Sequence, residues 1–519
     1  MPDAAAAALG ELSVRDAGEL LRSGDLKSVE LTRHALAAID RLEPTLHAFV
    51  LVTGELALRR AARADRELSA GLDRGPLHGI PYALKDIFDV RGLPTTNGSW
   101  LTVEDVPARD SAVEHRLRAG GGVLLGKLTT YEFAVGGPSF DLPFPPARNP
   151  WSPDHVPSGS SSGAGAAVAA GLVPIAVGSD TSGSIRGPAF HCGAVGLKPT
   201  YGRVPGRGAH PLSVTLDHFG PLAWTVADAA AALRVIAGAD PADPADPRAG
   251  DVPVPDYLAG LSAGVAGLKV AHSPGWYARD PATMPEIVAA IERALAVLEH
   301  GGATVEEVEL PDYDLFNACG RVIMAAEAFA VHEDDLRRRP RSFGRFTYQR
   351  VLPGAGVLAA DLLRAREVRR RLTRALDQLA FGRHDVLVTA CGQATAARFA
   401  DFPDDWPPPK LASEMQTIPF NVSGHPAVSL PTGVARNGLP IGLQLVGRRF
   451  DEATVLRVAA VLEAELGQRH RRPPLAAAPT SQAGDHESRG ELGDRVLRGR
   501  AEQGQPRGAG AAAAAGGVG

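Results

Sequence analysis

The chain has 519 residues, of which 45% are hydrophobic and 22% charged, a composition typical of a packed globular protein and unlike that of a disordered or fibrous chain. Lys and Arg total 54 against 59 for Asp and Glu, and the resulting net charge of −5 argues against nucleic acid as a direct partner. The three cysteines have no disulfide or metal spacing, and no segment resembles a signal peptide or a membrane helix, so we expect a cytoplasmic protein with no bound metal and no membrane partner.

Packed helices are predicted over about residues 10–70. Ser28 can cap a helix that Pro44 would end, and the apolar positions between them fall on one face. These positions are Leu31, Ala35, Ala38, Ile39 and Leu42. We therefore expect the N-terminal region to form helices that pack on the outside of a sheet.

From about residue 77 the pattern changes to short apolar runs separated by Gly, Pro and Asn, which alternate with helical segments such as residues 111–119. Further along, the sequence predicts a helix over 284–300, a strand over 304–310, helices around 320–382 and a buried strand over 385–389. Alternation of this kind predicts an α/β layered fold.

One large domain over residues 1–472 is expected, because no repeat is evident and the Ala-, Asp- and Pro-rich stretch 239–254 is typical of a long surface loop. Residues 473–519 contain no aromatic residue and are rich in Ala, Gly, Arg, Glu and Pro. Such a segment buries too little surface to offset the entropy lost on ordering. A disordered tail is therefore predicted there.

Two loops rich in Ser and Gly, residues 157–165 and 178–186, flank one helical and one strand-like run. A flexible linker is the ordinary interpretation of such loops, but linkers are not usually followed at once by segments with core-like patterns. Glycine lets backbone N–H groups converge on one point, where they can hold the oxyanion that forms when a hydroxyl attacks a carbonyl. The second loop suits this chemistry and contains, in order, Thr181, Ser182, Gly183 and Ser184.

Lys85 is an ion inside an otherwise apolar, strand-like segment that begins at Gly79. A serine hydroxyl needs a base, and a lysine can serve where burial lowers its pKa enough to leave a neutral amine near pH 7. Considered alone, Lys85 would be interpreted as an edge-strand or snorkelling lysine. Its combination with the two serine loops makes it a candidate base.

These three segments, in this order, resemble the Lys and Ser motifs of the amidase signature family. They read HGIPYALKD, PxGSSxGxGAAVAAG and GSDTSGSIRGPA, and the separation of Ser160 from Ser184, 184 − 160 = 24 residues, is the one that the two serines of that family have. Further matches run from Gly126-Lys127 to residues 420–427 and 438–444, so the resemblance covers roughly residues 10–470.

The resemblance implies a single α/β/α domain around a mixed sheet, with a catalytic core over about residues 77–205. It assigns Ser184 as the nucleophile and Lys85 as the base. Ser160 would be the serine that carries protons between them and would also contact the substrate. No cofactor is implied.

In the same family the backbone N–H groups of Thr181, Ser182 and Gly183 would bind the oxyanion. Ser182 departs from the usual Gly, which leaves the local backbone angle and the pocket volume open. Arg186 follows the second loop and is expected to pair with Asp180 and so to hold that loop in place.

Two rival motifs also occur. Residues 159–163 match the nucleophile elbow of α/β hydrolases, which would make Ser161 the nucleophile, but two prolines just before them argue against the preceding strand that an elbow requires. Residues 121–127 nearly match a phosphate-binding P-loop, but Leu128 stands where a Ser or Thr must meet magnesium.

The leading functional hypothesis is a stand-alone amidase that converts a carboxylic amide to an acid and ammonia or an amine through an acyl-enzyme. The alternative is the glutamine-hydrolysing subunit of a tRNA-dependent amidotransferase, although residues 128–132 and 419–423 look less like that subunit than like general amidases. A non-catalytic binding protein is disfavoured because the lysine and both serines are present. The expected partner is therefore a small-molecule amide, with no direct nucleic acid, no membrane and room for a homodimer.

Overall fold

One mixed β-sheet runs through the residues that the computed structural model describes, which are 11–243, 252–278, 280–402, 415–467 and 471–476. Its eleven strands are β1 Phe49–Val52, β2 Pro81–Lys85, β3 Val123–Leu128, β4 Ile175–Asp180, β5 Val195–Lys198, β6 His218–Ala223, β7 Lys269–His272, β8 Thr304–Glu307, β9 Val386–Thr389, β10 Ala427–Val434 and β11 Pro440–Gly447. Their order across the sheet is β1-β3-β2-β4-β6-β5-β10-β11-β9-β7-β8. β2 lies parallel to β3 and β4, and β7 lies parallel to β8 and β9, whereas the other neighbours are antiparallel.

The α-helices of the described residues lie between these strands in the chain. They are α1 Val14–Ser23, α2 Ser28–Leu46, α3 Gly54–Ser69, α4 Ala112–Ala119, α5 Ser162–Ala169, α6 Arg186–Cys192, α7 Val226–Ile236, α8 Pro274–Tyr277, α9 Pro285–His300, α10 Tyr313–Arg338, α11 Arg345–Val351, α12 Ala359–Leu379, α13 Ile418–Val422 and α14 Glu452–Leu466. Short 3₁₀ helices occur at Glu132–Ala134, Pro340–Ser342, Leu352–Gly356 and Phe399–Asp401. None of the helices in these ranges is long and apolar enough to cross a membrane.

Each face of the sheet has its own hydrophobic core, because successive strand residues point to opposite faces. Leu84 of β2 and Val177 of β4 belong to the core under α1, α7, α9 and α14. Their neighbours Ala83 and Ala176 belong to a second core, under α2, α3 and α5. Helices therefore cover both faces, which confirms the predicted α/β/α domain around a mixed sheet.

The carboxyl ends of β2 and β4 meet at one edge of the sheet, because the two strands are parallel neighbours. β2 ends at Lys85 and β4 ends at Asp180. The loop before α5 contains Ser160, and the turn between β4 and α6 contains Ser184. The topology alone thus places the polar groups of three separate motifs at one edge, where open α/β sheets bind ligands.

The N-terminal region differs from its predicted form at both ends of one helix and in one strand. The cap of α2 is Lys27 rather than Ser28, whose Oγ instead donates to the Gly79 carbonyl at 2.7 Å. α2 also continues through Pro44, which the last turn tolerates because only one backbone hydrogen bond is lost there. The strand β1 was not predicted. It follows α2 directly and pairs with β3 at the edge of the sheet.

The other predicted elements are present with small shifts. Ser111 caps α4 as expected, and α9, β8 and β9 lie within the segments predicted for them. Residues 244–251 of the predicted surface loop lie outside the described residues. So does most of the predicted tail over 473–519, except 473–476, where Leu475 packs against the second core.

Candidate active site

Lys85 ends β2 with a side chain that is fully buried. Its Nζ lies 2.7 Å from Ser160 Oγ and 2.8 Å from Ser179 Oγ, so two hydroxyl groups stand where water would otherwise solvate the amine. Among the ion pairs of the described residues, none includes Lys85. The carboxylates of Asp180 and Asp217 act on it only as more distant charges.

Burial lowers the pKa of Lys85 to about 7, and the negative charges of Asp217 and Asp180 oppose this shift only in part. A solvated lysine titrates at about 10.4, because water stabilises its ammonium form. Two neutral hydroxyl groups do not replace that hydration. A large fraction of Lys85 is therefore a neutral amine near pH 7, able to accept a proton from the hydroxyl of Ser160.

The loop that contains Ser160 is tied to the turn that contains Ser184. The Ser161 N–H donates to the Ser184 carbonyl at 3.2 Å, and the peptide bond between Gly159 and Ser160 is cis. Ser160 is 2% exposed and Ser184 is 8% exposed. The structure therefore brings the two predicted serines and Lys85 into one interior site with a narrow opening to solvent.

The glycines of the first loop permit close packing. A Cβ on Gly163 would lie 2.2 Å from the Ala48 carbonyl oxygen, and a Cβ on Gly165 would lie 2.8 Å from the side chain of Pro188. Every residue of α5 is buried. This composition therefore reflects contact between backbones and excludes the linker interpretation.

Asp180, the last residue of β4, organises the turn around Ser184. Its carboxylate accepts hydrogen bonds from the N–H groups of Gly183 at 2.8 Å, Ile185 at 3.1 Å and Arg186 at 3.3 Å. Gly183 has a φ of 129°, which glycine adopts without strain. The Gly183 N–H, one of the predicted oxyanion donors, is thus directed towards Asp180 in this structure.

Arg186 pairs with Asp180, as the sequence led us to expect. Its Nη2 and Nε donate to the two carboxylate oxygens at 2.8 and 3.0 Å, and both side chains are fully buried. The remaining donors reach the Thr417 carbonyl and the side chains of Gln444 and Asn421. Although burial by itself would raise the pKa of Asp180, the guanidinium holds it well below its usual range.

The two residues between Asp180 and Gly183 are fixed by different partners. Thr181 Oγ1 donates to Asp217 at 2.7 Å, and the Ser182 carbonyl accepts a hydrogen bond from Thr417 Oγ1 at 2.5 Å. Ser182 does not occur among the described residues with positive φ. Its backbone therefore does not require the glycine that related enzymes usually have at this position.

Both rival motifs have structural roles. Ser161 Oγ donates to the Ser179 carbonyl at 3.2 Å, and the described residues 152–158 contain only isolated bridges rather than the strand that a nucleophile elbow needs. Lys127 lies inside β3, where its Nζ pairs with the buried carboxylate of Asp86 at 2.6 Å.

Three residues of the site escaped sequence reasoning. Ser179 could have been suspected, because it directly precedes Asp180 in the second loop. Asp217 and Thr417 carried no local signal, since their partners in the turn lie 36 and 235 residues away in the chain. Contacts over such separations follow only from the packing of the sheet.

Arg350 is a further residue that sequence reasoning missed, and it borders the site through Tyr131. The Tyr131 N–H donates to the Ser160 carbonyl at 3.1 Å, and its ring packs so tightly on Gly159 that an added Cβ would lie 2.2 Å away. Arg350 is half-buried and electrostatically coupled to Tyr131, yet its buried Nε has no hydrogen-bond partner among the described residues. Burial and, secondly, Arg321 lower the pKa of Arg350 to about 10, so it remains charged near neutral pH.

The sequence profile of the Amidase family matches residues 30–456, a range that contains Lys85, Ser160 and Ser184. The chain belongs to the amidase family. This amidase is 39% identical over 492 residues to the A subunit of glutamyl-tRNA(Gln) amidotransferase from Synechococcus sp. (strain WH7803), and the match covers 90% of the chain and 100% of that protein. The same subunit from Chloroflexus aggregans (strain MD-66 / DSM 9485) is 39% identical over 490 residues, covering 90% of the chain and 99% of that protein.

Solved structures of the family share the fold of this amidase. An s-triazine catabolic enzyme, described together with a vestigial protein complex, has a TM-score of 0.81 and 34% identity, covering 88% of this chain and 98% of that one. The peptide amidase of Stenotrophomonas maltophilia has a TM-score of 0.77 and 32% identity, covering 89% of this chain and 98% of that one. The amidase is thus a hydrolase of carbon–nitrogen amide bonds of the Ser–cis-Ser–Lys type, as the sequence predicted.

The partners predicted from the sequence are wrong. We expected a small-molecule amide as the only partner, with no direct nucleic acid and room for a homodimer. The relatives that cover 90% of the chain are named as one subunit of a glutamyl-tRNA(Gln) amidotransferase, and a structural neighbour is described with a protein complex. The error has a physical cause, because net charge is a sum over the whole surface and says nothing about one exposed face that binds a protein.

Replacing Asp180 by Asn should destabilise the amidase by about 3–5 kcal/mol, because it leaves the buried Arg186 guanidinium without its counter-ion. The free energy of unfolding, measured by chemical denaturation, tests this. Glu333→Gln is the control, since it breaks an exposed pair with Arg337 on α10 and should cost less than about 1 kcal/mol. Equal losses in the two variants would show that the Asp180 pair does not stabilise the turn.

Proposed function

We propose that this amidase hydrolyses the side-chain amide of glutamine through an acyl-enzyme on Ser184, as the catalytic subunit of a tRNA-dependent amidotransferase. The observation that carries the proposal is Arg350, a half-buried cation without a hydrogen-bonded anion among the described residues, next to the serine loops. The names of the relatives support the same substrate and the same subunit role.

The first chemical step is the attack of Ser184 Oγ on the amide carbonyl carbon. As that bond forms, the hydroxyl proton passes to Ser160 Oγ, whose own proton passes to the neutral amine of Lys85 at 2.7 Å. The Ser179 hydroxyl, on the other side of Nζ at 2.8 Å, keeps the amine directed at the relay. Burial makes this possible, because an ammonium group has no lone pair with which to accept the proton.

The oxyanion that develops on the carbonyl oxygen needs donors that already point at it. The Gly183 N–H is directed to Asp180 at 2.8 Å, so we assign this role chiefly to the N–H groups of Thr181, Ser182 and Ser184. The hydrogen bonds from Thr181 Oγ1 and to the Ser182 carbonyl hold those groups in place before substrate arrives.

Collapse of the tetrahedral intermediate breaks the carbon–nitrogen bond. The proton stored on Lys85 returns through Ser160 to the leaving nitrogen, which departs as ammonia and leaves a glutamyl ester on Ser184. Water then attacks that ester with the same relay acting as base, so glutamate is released and the serine hydroxyl is restored. Each proton taken up by the lysine is returned, and no other reactant is needed.

Recognition of glutamine requires a group for the carboxylate at the end of the molecule remote from the amide. A largely desolvated guanidinium is costly without an anion, and a bound carboxylate supplies the anion at the moment of binding. Arg350 is placed to do this, since Tyr131 joins it to Ser160. A substrate that carries both a carboxylate and an amide would thus be held at both ends.

The rate of glutamine hydrolysis should fall as pH drops through about 7, because only the neutral amine of Lys85 accepts the proton. We expect kcat/KM to decrease about tenfold per pH unit below that value and to level off above it. Glu132 also has a pKa raised to about 7 by burial, so Glu132→Gln serves as the control and should keep this limb. If Glu132→Gln lost the limb, the group that controls the rate would be Glu132 and not Lys85.

Replacing Arg350 by Gln should lower kcat/KM for L-glutamine by about 10- to 100-fold, since a hydrogen-bonded charged group contributes about 1.5–3 kcal/mol. Butyramide lacks the carboxylate, and its hydrolysis should change little. Trapping the acyl-enzyme with hydroxylamine as the hydroxamate measures both reactions. Arg345→Gln, an exposed arginine of the same helix, is the control and should leave both rates unchanged. A wild-type enzyme that prefers butyramide would instead support the stand-alone amidase.

The subunit role predicts that the amidase, purified from its native host under mild conditions, elutes with other polypeptides in fixed stoichiometry. Native mass spectrometry of the eluted species checks this directly. The recombinant chain measured alone at the same concentration is the comparison. If the native preparation contained this chain and no other, the subunit role would be wrong even if glutamine proved to be the substrate.

A further inference from the structure

Glu132 is a fully buried carboxylate that the chemistry described so far does not use. Its Oε1 accepts a hydrogen bond from Ser99 Oγ at 2.5 Å, and its Oε2 accepts one from the Gly344 N–H at 2.8 Å. The side chain of Thr347 is a third hydrogen-bond partner. Two of these three partners belong to the start of α11.

These contacts fix α11 at its N-terminal end. Gly344 is the residue that caps α11, and Thr347 lies in its first turn. Gly344 has no side chain to bind the free N–H groups there, so the Glu132 carboxylate supplies the missing acceptor from a distant part of the chain. Removing this acceptor would leave a buried N–H group unpaired.

The same helix carries Arg350 at its other end. Thr347 and Arg350 are three residues apart and therefore share one face of α11. Since Glu132 binds Thr347, any shift or rotation of the helix relative to Glu132 also moves the Arg350 guanidinium. A helix of seven residues has few other contacts with which to resist such a shift.

Tyr131, the neighbour of Glu132, is anchored to the catalytic loop. Its N–H donates to the Ser160 carbonyl at 3.1 Å, its ring packs on Gly159, and it is electrostatically coupled to Arg350. Two consecutive residues thus contact the serine loop on one side and both ends of α11 on the other. The distance from Ser160 to Arg350 is set across only this dipeptide.

We propose that Glu132 is a positioning residue that docks α11 against the serine loop and thereby sets the spacing between Arg350 and the catalytic serines. This inference rests on the proposed function, because it assumes that Arg350 binds the carboxylate of the substrate. Glu132 itself touches neither the substrate nor the reacting atoms. Its effect is on the alignment of the carboxylate-binding end of the site with the end that breaks the amide bond.

The test compares L-glutamine with butyramide in the Glu132→Gln variant of the full chain. Glutamine keeps the shape of the side chain but offers one acceptor oxygen in place of two, so the Gly344 N–H and the Ser99 hydroxyl cannot both be bound as before. We expect KM for L-glutamine to rise about tenfold, the effect of losing one charged hydrogen bond, with kcat within about twofold and butyramide hydrolysis nearly unchanged.

A second variant keeps the inference testable if Glu132→Gln folds poorly. Thr347→Val removes one hydrogen bond to Glu132 at nearly constant volume and should raise KM for L-glutamine in the same direction by a smaller factor. Asp228→Asn is the matched control. Asp228 is a buried carboxylate that accepts the Val14 N–H at 2.8 Å and so holds α1, remote from α11. It should change stability without changing the preference between the two amides.

Three results would overturn the inference. If Glu132→Gln and Thr347→Val left KM for L-glutamine unchanged while Arg350→Gln raised it, Glu132 would not position the arginine, and the proposed function would stand. If Glu132→Gln reduced kcat equally for both amides, its role would be structural. If the wild type did not favour L-glutamine and Arg350→Gln had no effect, the proposed function would fail first, and the positioning role would fail with it.

Discussion

The site depends on the burial of one amine away from any direct counter-ion. Lys85 has two hydroxyl groups as neighbours, and its pKa falls to about 7 because neither can replace the hydration of an ammonium group. A carboxylate in contact would restore the charged form and remove the base. Asp180 is close enough to act on Lys85, but its charge is largely taken up by the bidentate pair with Arg186. That pair therefore protects the basicity of the lysine as well as the shape of the turn.

The turn around Ser184 is held by groups that come from distant parts of the chain. Asp180 binds three backbone N–H groups, while Thr417 and Asn421 reach the turn or its ion pair from more than 200 residues away. A buried ion pair is weak evidence for stability in itself, because desolvation offsets much of the attraction. Its value here is geometric, since the oxyanion donors must point at the developing charge before the reaction begins.

The two ends of the site are built by different parts of the fold. The reacting end is made at the carboxyl edge of β2 and β4, whereas the proposed carboxylate-binding end is carried by α11, outside the sheet. Tyr131 and Glu132 are the short connection between them. Such an arrangement lets the chemistry stay fixed within a family while the helix that reads the rest of the substrate varies, which agrees with the different substrates named for the structural relatives.

The sequence by itself determined the layered α/β fold, the amide-hydrolase class and the grouping of Lys85, Ser160 and Ser184, because hydrophobic alternation and short motifs are local properties of the chain. It did not determine β1, whose pairing with β3 depends on a neighbour more than 70 residues away. Nor did it reveal Asp217, Thr417 or Arg350, which are ordinary residues until the sheet and α11 bring them to the site. Only the tertiary structure decided that the Gly183 N–H binds Asp180 and that Lys85 is deeply enough buried to be a base, since desolvation and hydrogen-bond direction depend on everything packed around a group and not on its sequence neighbours.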